Sequence, residues 1–243
     1  MRILAVGDVV CKPGRQAVHS IVPALRAELQ LDLVIANGEN LAGGRGLTAA
    51  TAEELFRSGV DVITSGNHIW RDKDVIAYLE RNVPVVRPLN YPPGVPGRGY
   101  LIHDLGAKGQ VLVANLCGRV SMPELDCPFR AMDRLLESLP SRPAVSIVDM
   151  HAEATSEKSA MGWFLDGRVS AVVGTHTHVP TADARVLPGG TAFVSDLGMV
   201  GPRDSVIGVK VEPIIQHFLT CMPARFDVAE GPVSFNAVLI VVD

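Results

Sequence analysis

Short runs rich in Val, Ile, Leu and Ala, most of them continuous rather than alternating, recur along the chain, at residues 2–6, 31–36, 60–64, 83–87, 111–115, 145–149, 169–173, 191–195 and 237–242. Half-buried strands alternate apolar with polar residues, whereas strands covered on both faces read as continuous apolar runs. The pattern predicts an α/β protein whose sheets are shielded on both sides. The gaps between runs carry helix signals. Thr51 and Glu54 have capping-box spacing, Asp72 is placed to cap a helix running to about Arg81, and Pro128 suits a first helical turn. Phe129, Met132, Leu135, Leu136 and Leu139 then share one helical face, and Ser156 is placed to cap a helix ending before Gly167. The first half thus reads β-α-β-α-β. Beyond about residue 183 helices are not expected, and "VLPGGTAFVSDLGMVG" and "GPVSFNAVLIVVD" read as antiparallel strands. The expected architecture is one domain over residues 1–243, with two packed β-sheets flanked by helices.

A regularity at the strand ends bears on function. The first run leads to Asp8, the second to Asn37, Glu39 and Asn40, and the third to Asn67 and His68. Later runs lead to Asn115, to Asp149 and His151, and to His176 and His178. Open α/β sheets bind ligands at the carboxyl ends of their strands, so these residues should meet along one rim. Each alone has a plainer use, such as Asp8 capping a loop or Asn40 bracing a turn through its own backbone. Together they form a set of carboxylates, side-chain amides and imidazoles without a thiolate, which is the donor chemistry of a mixed N/O metal site. The His-x-His spacing at 176 and 178 adds to this, because alternate residues of an extended segment share a face. Asp149 is placed to orient His151. Arg45, Arg119 and Arg203 are candidate phosphate contacts, and His19, His103 and His217 lie away from strand ends.

Composition limits the partners. A net charge of −4 argues against a broad basic surface, so no stable nucleic-acid complex is expected. No apolar run approaches the roughly 20 residues that cross a bilayer. The start, "MRILAVGDVV", enters a strand pattern at once and lacks a signal peptide's apolar region, which makes the cytoplasm the expected compartment. Cys11, Cys117, Cys127 and Cys221 form no C-x-x-C pair and read as reduced thiols. A homo-oligomer is left open.

Several of these stretches resemble the calcineurin-like metallophosphoesterase superfamily: "GDVV", "NGEN", "SGNHIW", "DMHAE" and "GTHTH", in that order. Longer stretches, "AMGWFLDGRVSAVVGTHTHVPTAD", "SDLGMVGPRDSVIG" and "GNHIWRDKD", resemble the bacterial YmdB-like family of cyclic-nucleotide phosphodiesterases over nearly the whole chain. The resemblance implies a metallophosphoesterase-like αββα sandwich and two divalent metal ions; the mixed carboxylate, amide and imidazole donors suit Fe or Mn, with Zn admitted. It implies that Asp8, Glu39, Asn40 and His178 hold one ion and that Asn67, His151 and His176 hold the other. Glu39 would bridge the two, and His68 would stay free of metal as proton donor. Val10 stands where the wider superfamily has a His ligand, Glu39 where it has Asp, and Ile69 where an acidic residue commonly follows the His. The YmdB-like family shares these departures.

The implied activity is dinuclear phosphodiester hydrolysis, with a hydroxide bridging the ions attacking phosphorus. The implied substrates are small cyclic nucleotides of the 2′,3′ type, with 3′,5′-cyclic AMP a further candidate. The alternatives are a phosphomonoesterase or protein phosphatase on the same scaffold, a nucleotide-sensing metal protein with little turnover, and a mononuclear zinc amidohydrolase.

Overall fold

The computed structural model describes residues 1–243. The elements run β1 (Arg2–Val9), α1 (Cys11–Glu28), β2 (Leu33–Asn37), α2 (Ala49–Arg57), β3 (Val62–Thr64), α3 (Asp74–Leu79), β4 (Val85–Val86), β5 (Tyr100–Asp104) and, after a 3-10 turn, β6 (Gln110–Cys117). There follow α4 (Pro128–Ser138), β7 (Val145–His151), α5 (Thr155–Phe164), β8 (Ala171–Thr175), β9 (Arg185–Val186) and β10 (Ala192–Val194). The chain closes with β11 (Met199–Pro202), α6 (Val211–Thr220), β12 (Val233–Phe235) and β13 (Ala237–Val241). One sheet has the order β12-β11-β1-β2-β3-β4, with β13 also paired to β1; the other has the order β5-β6-β7-β8-β10-β9. No helix is long and apolar enough to cross a membrane.

The apolar runs form both sheets because each strand has two faces to bury. In β1 and β2, Ile3, Ala5, Leu33 and Ile35 pack with Val111, Val113, Val145 and Ile147 of the other sheet. The alternate residues Leu4, Val6, Val34 and Ala36 instead join Val18, Val22 and Leu55 beneath α1 and α2. On the far side, Leu112, Ala114, Val148 and Met150 meet Met132 and Leu135 of α4 and Met161 of α5. The layers are therefore helix, sheet, sheet, helix.

Period two fixes which polar residues end up between the sheets. Residues 33, 35 and 37 share a face, as do 145, 147, 149 and 151, so Asn37, Asp149 and His151 continue the inter-sheet side to the rim. Thr64 and Thr175 follow Val62 and Val173 in the same way. Strict alternation would put Asp8 on the helix side. A register shift between Val6 and Asp8 in the β1–β2 pairing turns it inward. Gly7 lies in that irregularity, where a Cβ would sit 1.9 Å from the Gly198 carbonyl oxygen.

Several local expectations are corrected. The capping box of α2 is Thr48 with Thr51, not Thr51 with Glu54. Neither Asp72 nor Ser156 caps a helix by its side chain; the caps of α3 and α5 are Lys73 and Ala154. The run at 83–87 yields only Val85–Val86, and β5 was not foreseen. The region beyond 183 does contain a helix, α6. Its strands are mixed, since β10 and β11 run parallel to β8 and β1 while β9, β12 and β13 pair antiparallel. Pro128 opens α4 as expected.

Candidate metal centre

Glu39 sits at the centre of the rim, in the turn after β2, and is buried. One carboxylate oxygen lies 3.2 Å from His151 Nε2 and 3.2 Å from His68 Nδ1, and the other accepts the His68 backbone N–H at 3.1 Å. The loop that supplies this contact passes very close. A Cβ on Gly66 would stand 2.2 Å from His151 Nε2 and 2.3 Å from Glu39 Oε2, which is why a glycine opens "GNH".

The three histidines of the second sheet share an arrangement. His151 Nδ1 lies 2.9 Å from the Thr175 hydroxyl, which donates to Asp149 at 2.7 Å; Asp149 is held in turn by Thr64 and Asn37. His178 Nδ1 donates to the Ile207 carbonyl at 2.9 Å, and His176 Nε2 lies 3.1 Å from the Glu153 carboxylate. Each ring is thus anchored through one nitrogen. The other nitrogen faces the cluster: His151 Nε2 and His176 Nδ1 are 3.1 Å apart, and His178 Nε2 is 3.1 Å from the Asn40 amide and 4.0 Å from Asp8. Imidazoles fixed from behind by a hydroxyl, carboxylate or carbonyl are the usual arrangement of metal-ligating histidines.

Two further observations fit a cation. His151 Nε2 is within 3.1–3.2 Å of Asn67 Oδ1, His176 Nδ1 and Glu39 Oε1, and one N–H cannot serve three acceptors. The Asp8 Oδ1 atom is buried with no hydrogen-bond partner, while its Oδ2 accepts the His176 backbone N–H at 3.0 Å. A buried carboxylate oxygen without a partner is costly unless something positive approaches it. Donor atoms of Glu39, His151 and His176 lie within 4.8 Å of one another, the spacing of groups able to share an ion. Asp8, Glu39, Asn40, Asn67, His68, His151, His176 and His178 all come together here. Val10 is buried against Cys11 and Met199. Glu153 was not singled out from sequence, although "DMHAE" carries it. Arg45, Arg119 and Arg203 are exposed, and Arg203 pairs with its neighbour Asp204. The cysteines form no disulfide.

The electrostatics follow the crowding. Burial pushes Asp8 up to about 6, against the pull of His178 and His151. Burial also works against a charged Glu39, yet His151 and His68 hold it well below the usual carboxylate range. His151 is disfavoured as a cation by burial, but Glu39 and then Asp8 and Asp149 more than offset this and push it up to about 9. His176, buried beside that positive ring, falls to about 3. A cation bound through His151 Nε2 would have to displace its proton at neutral pH. Below its raised pKa His151 holds one proton that coordination would release, so the affinity for an added ion such as Mn²⁺ should rise about tenfold per pH unit from roughly 6 to 9 and level off above. Calorimetry at pH 7.5 in two buffers of different ionisation enthalpy should show about one proton released, and a release of none would contradict it.

The chain has clear relatives. A family model described as YmdB-like protein matches residues 4–243. The Bacillus subtilis 2′,3′-cyclic-nucleotide 2′-phosphodiesterase is 47% identical over 243 residues, covering 100% of this chain and 92% of that protein. A crystal structure of a hypothetical protein from Thermus thermophilus superposes with a TM-score of 0.95 at 48% identity, covering 100% of this chain and 94% of the other. The crystal structure of a novel phosphatase from Mycoplasma pneumoniae gives 0.92 at 36% identity, covering 98% and 86%. The chain belongs to the YmdB-like family, within the metallophosphoesterase-type phosphodiesterase enzymes.

Proposed function

We propose that this protein hydrolyses small cyclic nucleotides of the 2′,3′ type with two divalent metal ions, Fe or Mn. Asp8, Glu39, Asn40 and His178 would hold one ion and Asn67, His151 and His176 the other, with Glu39 shared. The observation that carries the reading is the three histidines, each anchored through one nitrogen, with the other turned into the cluster: His151 toward Glu39, His178 toward Asp8, and His176 toward His151. The substrate class is supported by the activity of the Bacillus subtilis relative, a 2′,3′-cyclic-nucleotide 2′-phosphodiesterase. Bound cations of this kind polarise a phosphoryl oxygen and lower the pKa of water.

The chain's own groups do the rest. Asp8 and Glu39 would offset part of the charge the ions bring, which suits a diester with one negative charge better than a monoester with two. No Lys or Arg pairs with either carboxylate to offset that preference. His68 is partly exposed, unlike His151, and its Nδ1 is held at Glu39, which leaves Nε2 for a leaving oxygen. A protonated imidazole there can deliver the proton that oxygen needs.

Protein purified without chelator and loaded with Mn²⁺ should bind two equivalents and open 2′,3′-cyclic AMP faster than it cleaves AMP. Saturation at one equivalent would remove the dinuclear reading, faster AMP hydrolysis would favour a phosphomonoesterase, and tight nucleotide binding without turnover would favour a sensor.

Asn40 gives a narrower test. It is buried, with its amide 3.1 Å from His178 Nε2 and 3.3 Å from Glu39 Oε1, where Val10 offers no donor. A half-turn of the amide presents its oxygen, a hard neutral donor suited to Fe or Mn. Asn40→Ala should lower Mn²⁺ binding from two equivalents toward one. Retention of both at unchanged affinity would mean that water fills the place.

A further inference from the structure

A lysine is fully enclosed beneath the His176-Thr177-His178 turn. Lys158 comes from α5, has no exposed surface, and donates from Nζ to Asp196 Oδ2 at 2.6 Å. Gly174 gives its stem a path, since a Cβ there would lie 2.9 Å from Lys158 Cδ and 1.7 Å from the Ser195 carbonyl oxygen. The buried Asp196 carboxylate does more than neutralise the lysine. Its Oδ2 also accepts the Thr177 backbone N–H at 3.2 Å and the Thr177 hydroxyl at 2.8 Å, and its Oδ1 accepts the Gly198 N–H at 2.7 Å. The Gly198 carbonyl accepts the Asp8 N–H at 3.0 Å, and the Met199 N–H donates to the His178 carbonyl at 3.2 Å.

The turn needs such support. His176 has φ 103° and His178 has φ 66°, a left-handed backbone that residues other than glycine keep only where their surroundings impose it. Two such residues flank Thr177, and Thr177 is the one whose backbone N–H and hydroxyl both end on Asp196. Neither Lys158 nor Asp196 reaches the donor atoms of the cluster, so neither acts on substrate.

We propose that Lys158 and Asp196 are positioning residues that, through Thr177, lock the turn in the conformation that turns His176 Nδ1 and His178 Nε2 into the cluster. The proposal rests on the metal-binding reading above. A lysine suits the role because it cancels a buried charge that would otherwise add to Asp8 and Glu39, while leaving the carboxylate able to accept from Thr177.

The test uses the whole chain and three variants. Thr177→Val keeps the shape and removes the hydroxyl, and Thr177→Ser keeps the hydroxyl. Lys158→Met/Asp196→Asn removes both buried charges together, so no unpaired ion threatens folding. Backbone amide resonances of His176 and His178 report the turn, and calorimetric titration with Mn²⁺ reports the site. Thr177→Val and the double variant should shift both resonances and weaken Mn²⁺ binding by about 10- to 100-fold, the range for losing a group that orients a ligand, while Thr177→Ser resembles the wild type. Wild-type resonances and affinity in both Thr177→Val and the double variant would overturn the proposal. A wild-type chain that takes up no Mn²⁺ would sink the metal reading alone, and the resonances would then decide the positioning role by themselves.

Discussion

Glu39→Gln should lower kcat/KM on 2′,3′-cyclic AMP by about 10³-fold or more, beyond the 10²–10³ typical of losing one charge-stabilising group, because several functions end together. The substitution preserves size but removes the anion that faces both His151 and His68. It deprives the proposed ions of their shared ligand and His68 of its orienting partner. The fold should survive, since replacing a buried charge whose partner can become neutral is often tolerated. His151 can do so, because Glu39 is the main influence raising its pKa. The check is turnover, bound metal and thermal midpoint measured on one preparation. A variant that keeps two equivalents of Mn²⁺ and loses less than about tenfold in kcat/KM would show that Glu39 is peripheral.

His68→Ala should reduce turnover of 2′,3′-cyclic AMP by about 10²- to 10⁴-fold while both ions stay bound, the range for removing a general acid. The sugar oxygen that leaves is a poor leaving group and needs a proton as its bond to phosphorus breaks. An activated aryl phosphodiester leaves as a stabilised phenolate and should lose far less. The contrast between the two substrates separates proton donation from simple positioning. His68 is held through its backbone N–H and Nδ1 by Glu39, so removing the ring also frees one Glu39 contact. That secondary effect should weigh equally on both substrates. Equal losses would therefore take His68 out of the proton-donor role.

Much of this site could be read from the chain because of how the strands are built. Continuous apolar runs mark doubly covered strands, and the polar residue ending each run must lie at the sheet's rim. Asp8, Glu39, His151 and His178 were recognisable on that basis. Asp8 faces inward only through the irregularity at Gly7, which no periodicity foretells. What orients His68 was also hidden, because the partner is Glu39 from a distant turn and not a neighbour in sequence. Glu153, Thr175 and Lys158 escaped notice for a related reason: each acts through a contact made only when two strand ends or a helix meet. The edge strand β5 has mixed exposure and so lacks an unbroken apolar signature. The helix α6 carries Pro213 near its start and leaves Phe218 and Leu219 exposed, so no core-facing stripe announced it.

The rim draws its donors from both halves of the sandwich. Asp8, Glu39, Asn40 and Asn67 belong to or follow strands of the sheet containing β1, and His151, His176 and His178 those of the sheet containing β6. Neither half holds a complete ligand set, so an ion would select the docked sandwich over any state in which the sheets have parted. Coordination would then act as a cross-brace at one end of the interface, stabilising it by RT ln(1 + [M]/Kd) in free metal M. Chelation should loosen that end first. Amide hydrogen exchange near the carboxyl ends of β2 and β7 would quicken together, although one strand belongs to each sheet, while the opposite end of the sandwich kept its protection.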